Sequence, residues 1–422
     1  MTNVFSKIGV FFKSQLFQNI VIFLSPLLLL VFNKNGIAFI LFLVSLLLIY
    51  LSKHNMKIKL LVGAVDLLVI MPLVGVSNGY YQDVLTQIGI YAVLAMGLNI
   101  VVGFTGLLNL GYVGFYAVGA YTYAFFASSQ ANNVFGSGFP ISGNWFWLFL
   151  IFGMLASGFV GFLLGLPVLR LRGDYLAIVT LGFAEIIRLL FNNLDKPINF
   201  TNGPKGITPI RPPSFFGILL NKPIHYYFIV LVLFILVVIV VKRLDNSRIG
   251  RAWVAIREDE LAAKTMGIPV VRMKLLAFSI GAALAGMMGV VFAAKQSFID
   301  PSSFGFMESI VILCMVIMGG MGSISGVIIG ALAVISLQLH ILKDFSSFLG
   351  QLSIAGIINL PSQLDPAKYE RLVFGLILVI MCIFRPQGFL PAKRSLEYIK
   401  KFLGRGGKNG AKKNEAVKTE VR

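Results

Sequence analysis

The chain has 422 residues, of which 57% are hydrophobic and 13% charged, and its mean hydropathy is +0.87. This composition excludes a soluble, fibrous or disordered protein, because such chains carry more charged surface or less apolar content. The net charge of +19 lies in short stretches between apolar runs and near the C-terminus. That arrangement is typical of residues that orient a membrane protein, so we predict no nucleic-acid partner.

Long apolar runs follow one another along the chain from about residue 17 onward. Because a bilayer core tolerates only segments that satisfy their own backbone hydrogen bonds, these runs predict an all-α, polytopic helix bundle. We expect about ten to twelve hydrophobic segments, some of them broken or half-spanning, such as 307–320 and 370–384. Most of the 36 Lys and Arg residues fall on one side when the N-terminus is placed inside. Both termini are therefore predicted to be cytoplasmic.

No residue pattern indicates catalysis or metal binding. The three histidines and two cysteines have no ligand spacing, and there is neither a GxSxG nor an HExxH motif. No GxxxxGK[ST] motif is present, and the nearest approach, GRGGKNG at Gly404, lacks its spacing. We predict a protein that is not an enzyme, has no catalytic residue, metal or cofactor, and cannot itself hydrolyse ATP.

Small residues recur at helical spacing in several runs, which favours close packing of helices in a membrane. Two such sets are Gly281, Ala285 and Gly289, and Gly322, Gly326 and Gly330.

A glycine-rich stretch, GFTGLLNLGYVGFYAVGAY, runs from Gly103 to Tyr121 and contains Thr105 and Asn109. It predicts a broken helix, whose unpaired backbone groups must face protein or a water-filled cavity, as in many transporter sites. A second interrupted stretch, MGGMGSISG at 318–326, is a candidate for a corresponding role.

Few ionisable residues lie within the apolar runs, where they are costly and suggest function. Glu185 and Arg188 are three residues apart, so they share a helix face, and pairing with each other is the favoured interpretation. Asp66 and Glu308 are further candidates, each placed near the end of a predicted span. The runs lack the series of Asp, Glu and His residues expected of a proton-driven pump.

A charged segment, 242–274, separates two apolar runs on the predicted cytoplasmic side. Its central part, GRAWVAIREDELAAKTMGI (Gly250–Ile268), predicts a short surface helix that stops at Gly267. A helix resting on lipid and a helix that docks onto a protein are equally compatible with this pattern. Its apolar side is formed by Trp253, Ile256, Leu261 and Met266.

Six separated blocks closely resemble the larger membrane permease subunit of bacterial ATP-binding cassette importers for branched-chain amino acids. The resemblance runs in consistent order from about residue 80 to 395, which implies a permease domain at 80–395, a transmembrane extension at 1–79 and a basic cytoplasmic tail at 396–422. The blocks are VVGFTGLLNLGYVGFYAVGAY, LPVLRLRGDYLAIVTLGFAEIIRLL, TNGPKGI, GRAWVAIREDELAAKTMGI, MGGMGSISG and FRPQGFLP.

The resemblance implies an assembly in the bacterial inner membrane. Its other members would be a second homologous permease, two cytoplasmic ATPase subunits that use the ATP, and a periplasmic amino-acid-binding protein. The loop within 242–274 would then be the coupling helix that docks onto an ATPase. Such permeases often carry E-A-A-x-x-x-G there, and this chain matches it except that the glutamate stands one position early. The residues assigned to coupling are Gly250, Arg251, Trp253, Arg257, Glu260, Ala262, Ala263 and Gly267.

By this resemblance the protein moves leucine, isoleucine or valine by alternating access. An importer of urea or short amides and an ion-coupled secondary transporter remain as alternatives. The path of an aliphatic zwitterion should be mostly apolar with a few polar groups. The residues assigned to the substrate path are Thr105, Asn109, Thr180 and Glu185.

Overall fold

The computed structural model describes residues 15–32, 36–52, 55–168, 173–354, 366–385 and 388–390. Over these ranges the chain is almost entirely helical, and its strands form one short two-stranded antiparallel sheet. The predicted all-α class is therefore confirmed. The predicted basic tail, 396–422, lies outside the described residues.

The first half of the chain contains nine α-helices and two π-helical turns within the described ranges. One π turn, Asp66–Ile70, joins α3 to α4, and the other, Ile100–Phe104, extends α5. The helices are α1 (Gln15–Val31), α2 (Gly36–Leu51), α3 (Met56–Val65), α4 (Met71–Ser77), α5 (Gly79–Asn99), α6 (Tyr112–Phe126), α7 (Asn132–Phe135), α8 (Phe146–Val168) and α9 (Asp174–Asn193).

The second half opens with a loop in which β1 (Ser214–Phe215) pairs with β2 (Ile218–Leu219). A third π turn, Leu337–Ile341, joins α15 to α16. The helices are α10 (Pro223–Asp245), α11 (Arg248–Glu258), α12 (Glu260–Thr265), α13 (Val270–Gln296), α14 (Phe306–Gly319), α15 (Ile324–Ser336), α16 (Leu342–Ile354) and α17 (Glu370–Phe384).

Seven helical segments in the described part of the chain are long and apolar enough to cross a membrane. Two shorter apolar helices, Asn19–Val31 and Gly36–Ile49, precede them. Asp66 lies inside one of the seven, Lys57–Ser77, and is buried, so its predicted place near the end of a span is wrong. The seven are Lys57–Ser77, Gly79–Phe104, Gly143–Pro167, Pro223–Asp245, Val270–Gln296, Pro301–Gly319 and Ile324–Ser347.

Helix α13 lies at the centre of the bundle, where it packs against α5, α6 and α8. The contact with α5 is made by glycines, because a Cβ atom on Gly281 would lie only 2.9 Å from the carbonyl oxygen of Gly97. Gly326 and Gly330 likewise meet the backbone of α14, as expected of small-residue packing in membranes. Gly322 is an exception, since it lies in the turn before α15 with φ of 83° rather than on a helix face.

Candidate functional site

The charged segment between α10 and α13 folds as two short helices. Ser247 begins α11 by accepting a hydrogen bond from the Gly250 amide at 3.2 Å. Asp259 begins α12, because its Oδ1 accepts the amides of Leu261 and Ala262 at 2.8 and 3.0 Å. A residue that caps a helix in this way leaves the helical conformation, so the predicted single helix is wrong. The predicted stop at Gly267 is confirmed by its φ of 84°, which a side chain would oppose.

The predicted apolar side of this segment is divided between the two helices. Trp253 and Ile256 of α11 are buried inside the protein. Leu261 and Met266, by contrast, are 73% and 83% exposed. The first helix therefore anchors the segment to the bundle, whereas Leu261 of α12 and Met266 directly after α12 face outward.

The anchor joins α11 to the π turn at the end of α5. The Trp253 ring stacks on Phe104, with centroids 6.4 Å apart, and its Nε1 donates to the carbonyl of Met273 at 2.7 Å. Arg257 Nη1 donates to the carbonyl of Gly103 at 2.6 Å. A displacement of α11 thus acts directly on residues 103 and 104.

The other residues assigned to coupling support this geometry or lie on its outer face. Glu260 Oε2 lies 2.9 Å from the ammonium of Lys274 on α13. Ala263 packs against Ile256 and Val270 in a small apolar cluster. Arg251 and Ala262 are exposed. A Cβ atom on Gly250 would collide with the last carbonyl oxygens of α10. Glycine is therefore required for the start of α11 to lie so close to the end of α10.

The predicted helix break is present, and it directly follows Phe104, the residue on which Trp253 stacks. Helix α5 with its π turn ends at Phe104, and α6 begins at Tyr112. Asn109 Oδ1 accepts the Gly111 amide at 2.9 Å, and Thr180 Oγ1 on α9 accepts the Leu110 amide at 3.1 Å. These bonds satisfy backbone groups that the break releases. Gly106, with φ of 73°, allows the chain to leave the helix.

The four residues assigned to the substrate path do not form one cluster. Asn109 and Thr180 both lie at the break, where their side chains accept neighbouring backbone amides. Thr105 instead donates to the carbonyl of Val101 in its own helix at 2.6 Å. Glu185 pairs with Arg188, whose Nε lies 3.0 Å from both carboxylate oxygens. The predicted pairing is therefore confirmed, and both side chains remain partly exposed.

The second interrupted stretch lies against the first. Asn99 Oδ1 accepts the Gly322 amide at 2.8 Å, and a Cβ atom on Gly103 would lie 2.5 Å from the same nitrogen. Asn99 was not predicted from the sequence, although an amide side chain inside an apolar run was a usable signal. The two breaks and the α11 anchor thus form one continuous contact, with Gly103 shared by all three.

Within the described ranges, no group of three or more His, Cys, Asp or Glu residues is arranged to hold a metal ion. The site is held together mainly by hydrogen bonds between backbone groups and amide or hydroxyl side chains. Such contacts suit a segment that changes conformation.

Comparison with known proteins gives one consistent family. The family described as branched-chain amino acid transport system / permease component matches residues 80–382. The chain is 41% identical over 337 residues to the high-affinity branched-chain amino acid transport system permease protein LivM of Salmonella typhimurium, covering 74% of this chain and 70% of that protein. It is 39% identical over 357 residues to LivM of Escherichia coli, covering 79% and 73%.

A second type of permease is also related. The chain is 24% identical over 314 residues to the high-affinity branched-chain amino acid transport system permease protein LivH of Escherichia coli, covering 71% of this chain and 91% of that protein. No solved structure matches the chain. With a family match over most of its length and LivM relatives at 41% and 39% identity, this multi-pass membrane protein belongs to the family of branched-chain amino acid transport system permease components.

Proposed function

We propose that this chain is the membrane permease subunit of an ATP-binding cassette importer that carries leucine, isoleucine and valine across the bacterial inner membrane. The observation that carries the proposal is the 41% identity to LivM of Salmonella typhimurium over 74% of the chain. The protein contributes the path and no covalent chemistry. Its basic segments face the cytoplasm in this proposal, and so do both termini.

The partners follow from the same proposal. The relatives include permeases of both the LivM and LivH types, which supports a second, homologous permease beside this one. Two ATPase subunits on the cytoplasmic side supply energy, and a periplasmic binding protein delivers the amino acid.

Helices α11 and α12 suit the coupling role because they combine an outward face with an inward anchor. Leu261 and Met266 are exposed, while Trp253 and Arg257 contact Phe104 and Gly103 at the end of α5. Movement of an ATPase subunit against α12 would therefore reach Gly103 and the helix break. Alternating access follows if the break has two arrangements, since two sites couple when both bias one two-state element.

The proposal is tested by reconstitution of the complete complex into proteoliposomes. We expect uptake of labelled leucine that requires ATP and the binding protein, persists with an ionophore, and is inhibited by valine. Uptake by this chain alone, driven by an ion gradient, would contradict the proposal. Competition by urea and not by valine would indicate a different substrate class.

The docking role of α12 gives a separate prediction. Leu261→Glu combined with Ala262→Glu places two carboxylates on an exposed face without disturbing the buried anchor. We expect the ATPase subunits to co-purify at least about tenfold less well, because unpaired carboxylates and lost apolar contacts at an interface centre have such effects. Phe216→Glu is the matched control, since Phe216 is 87% exposed in the loop that carries β1 and β2. Equal co-purification of both variants would refute docking through α12.

A further inference from the structure

A carboxylate lies at mid-depth in the bundle, at the start of a short helix. Helix α14 has 14 residues and forms most of the candidate span Pro301–Gly319. Glu308 lies in its first turn. The hydroxyl of Tyr91 donates to Glu308 Oε2 at 3.0 Å, and Tyr91 lies near the middle of the 26-residue segment Gly79–Phe104. Glu308 is therefore remote from both ends of that span, and its predicted place near the end of a span is wrong.

Two buried tyrosine hydroxyls lie on α6, a helix that contacts α14. Tyr116 and Tyr121 on α6 are each 4% exposed, and each hydroxyl is enclosed without a hydrogen-bond partner. Tyr116 lies within electrostatic range of both Tyr91 and Glu308. A buried hydroxyl left unpaired destabilises a fold, so these two hydroxyls are available to bind a ligand.

Aromatic rings connect the two hydroxyl-bearing residues. The Phe304 ring lies 5.5 Å from that of Tyr116 and 6.0 Å from that of Tyr121, centroid to centroid. Phe292 lies 5.2 Å from Tyr116, and Phe191 stacks on Tyr121 at 4.1 Å. The rings provide an apolar surface that is continuous with the polar groups. We call Tyr91, Tyr116, Tyr121, Phe304 and Glu308 the tyrosine–carboxylate cluster.

We propose that the tyrosine–carboxylate cluster is the site at which the permease binds the transported amino acid. The inference rests on the proposed function and names the residues that recognise the substrate. The ammonium group of the amino acid donates to the Glu308 carboxylate, which is the strongest kind of acceptor for it. The Tyr116 hydroxyl donates to the carboxylate of the substrate, and the rings of Phe304 and Tyr121 contact its aliphatic side chain. An intramembrane acidic residue with buried polar neighbours is the arrangement such a ligand requires.

The cluster is mechanically tied to the break. Tyr116 lies just over one turn into α6, which starts where the break ends. The Val113 amide donates to Ser309 Oγ at 3.1 Å, and Ser309 is the residue after Glu308. A change in the break would therefore shift Tyr116 relative to Glu308, which opens or closes the site as the ATPases cycle.

Tyr116→Phe distinguishes substrate binding from a structural role. Because the hydroxyl has no partner in the fold, its removal should leave the melting temperature of the complex equal or higher. If the cluster binds substrate, leucine uptake at low leucine concentration should fall by about fivefold or more, as expected for the loss of a hydrogen bond to a charged group. Tyr226→Phe is the matched control. It removes a hydroxyl that donates to the Ala294 carbonyl at 2.8 Å, so the melting temperature should fall instead.

Glu308→Gln should lower leucine uptake by about tenfold or more, and Glu308→Asp should recover part of it, because aspartate retains the charge. Asp344→Asn is the matched control, since Asp344 is also in the first turn of a helix but is 53% exposed. Its uptake should stay within about twofold of the unmodified complex.

Leucine uptake by the unmodified complex is the reference for both variants. If Tyr116→Phe and Glu308→Gln both stay within about twofold of it, the cluster is not the site, and the proposed function stands. If both variants lose uptake only in parallel with a lower melting temperature, the cluster is structural and the inference is overturned. If the unmodified complex itself takes up no leucine, the proposed function fails.

Discussion

Replacing Trp253 with alanine is expected to weaken strongly the coupling between ATP hydrolysis and uptake. The side chain is fully buried and joins α11 to Phe104 and Met273. Truncation of a buried tryptophan lowers the free energy of unfolding by about 3–5 kcal/mol. Each 1.4 kcal/mol corresponds to about a tenfold change in an equilibrium constant. We expect leucine uptake by the reconstituted complex to fall by about tenfold or more, while ATP hydrolysis by the ATPase subunits continues.

Two variants separate the anchor from a general effect of losing tryptophan. Trp145→Ala makes the same chemical change at a position that is 53% exposed, and uptake should be nearly unaffected. Trp253→Phe retains a ring against Phe104 but removes the donor to Met273, so its effect should be intermediate. Equal uptake by the Trp253→Ala and Trp145→Ala variants would show that α11 does not transmit force through this contact.

Replacing Gly111 with alanine is expected to disrupt the break itself. A Cβ atom there would overlap the carbonyl oxygen of Thr180 and crowd Ala184. Backbone atoms cannot move aside as a flexible side chain can, so α6 and α9 must separate. Overpacking typically costs about 1–3 kcal/mol and occasionally more. We expect a melting temperature lower by several degrees and a large loss of leucine uptake, since the bond from Leu110 to Thr180 would be strained.

Gly182→Ala provides the control on the same helix as Thr180. No atom lies within 4 Å of a Cβ atom at Gly182, and alanine in a helix interior is favoured over glycine by about 0.5–1 kcal/mol. The melting temperature should therefore stay the same or rise. If both alanine variants melt at the same temperature, the close approach of α6 to α9 at Gly111 is not as described.

Trp253 and Gly111 lie at opposite ends of one series of contacts. Trp253 holds the outward-facing pair of helices to the end of α5, and Gly111 fixes the start of α6 against α9. Between them lies Gly103, whose carbonyl accepts from Arg257 and whose α-carbon lies close to the Gly322 amide. Short contacts of this kind transmit a displacement because packed backbones have few intermediate arrangements.

Local signals in the sequence were sufficient for features that depend on neighbouring residues. Apolar runs predicted helices, because a bilayer leaves a segment no other way to satisfy its backbone. Glycines at Gly103, Gly106 and Gly111 predicted a break, since glycine both tolerates left-handed backbone and weakens a helix. The division of the coupling segment at Asp259 was missed, although aspartate is a strong N-terminal cap. The helix propensity of the flanking residues favours one continuous helix, and the cap at Asp259 overrides it.

The sequence by itself determined the membrane class, the helical character, the position of the break and the pairing of Glu185 with Arg188. Only the tertiary structure decided which polar residues meet. The bonds Leu110 to Thr180, Tyr91 to Glu308 and Gly322 to Asn99 span 70, 217 and 223 positions of the chain. Periodicity carries no information over such separations, because the partners are set by how whole helices pack side by side. The tyrosine–carboxylate cluster is a product of that packing.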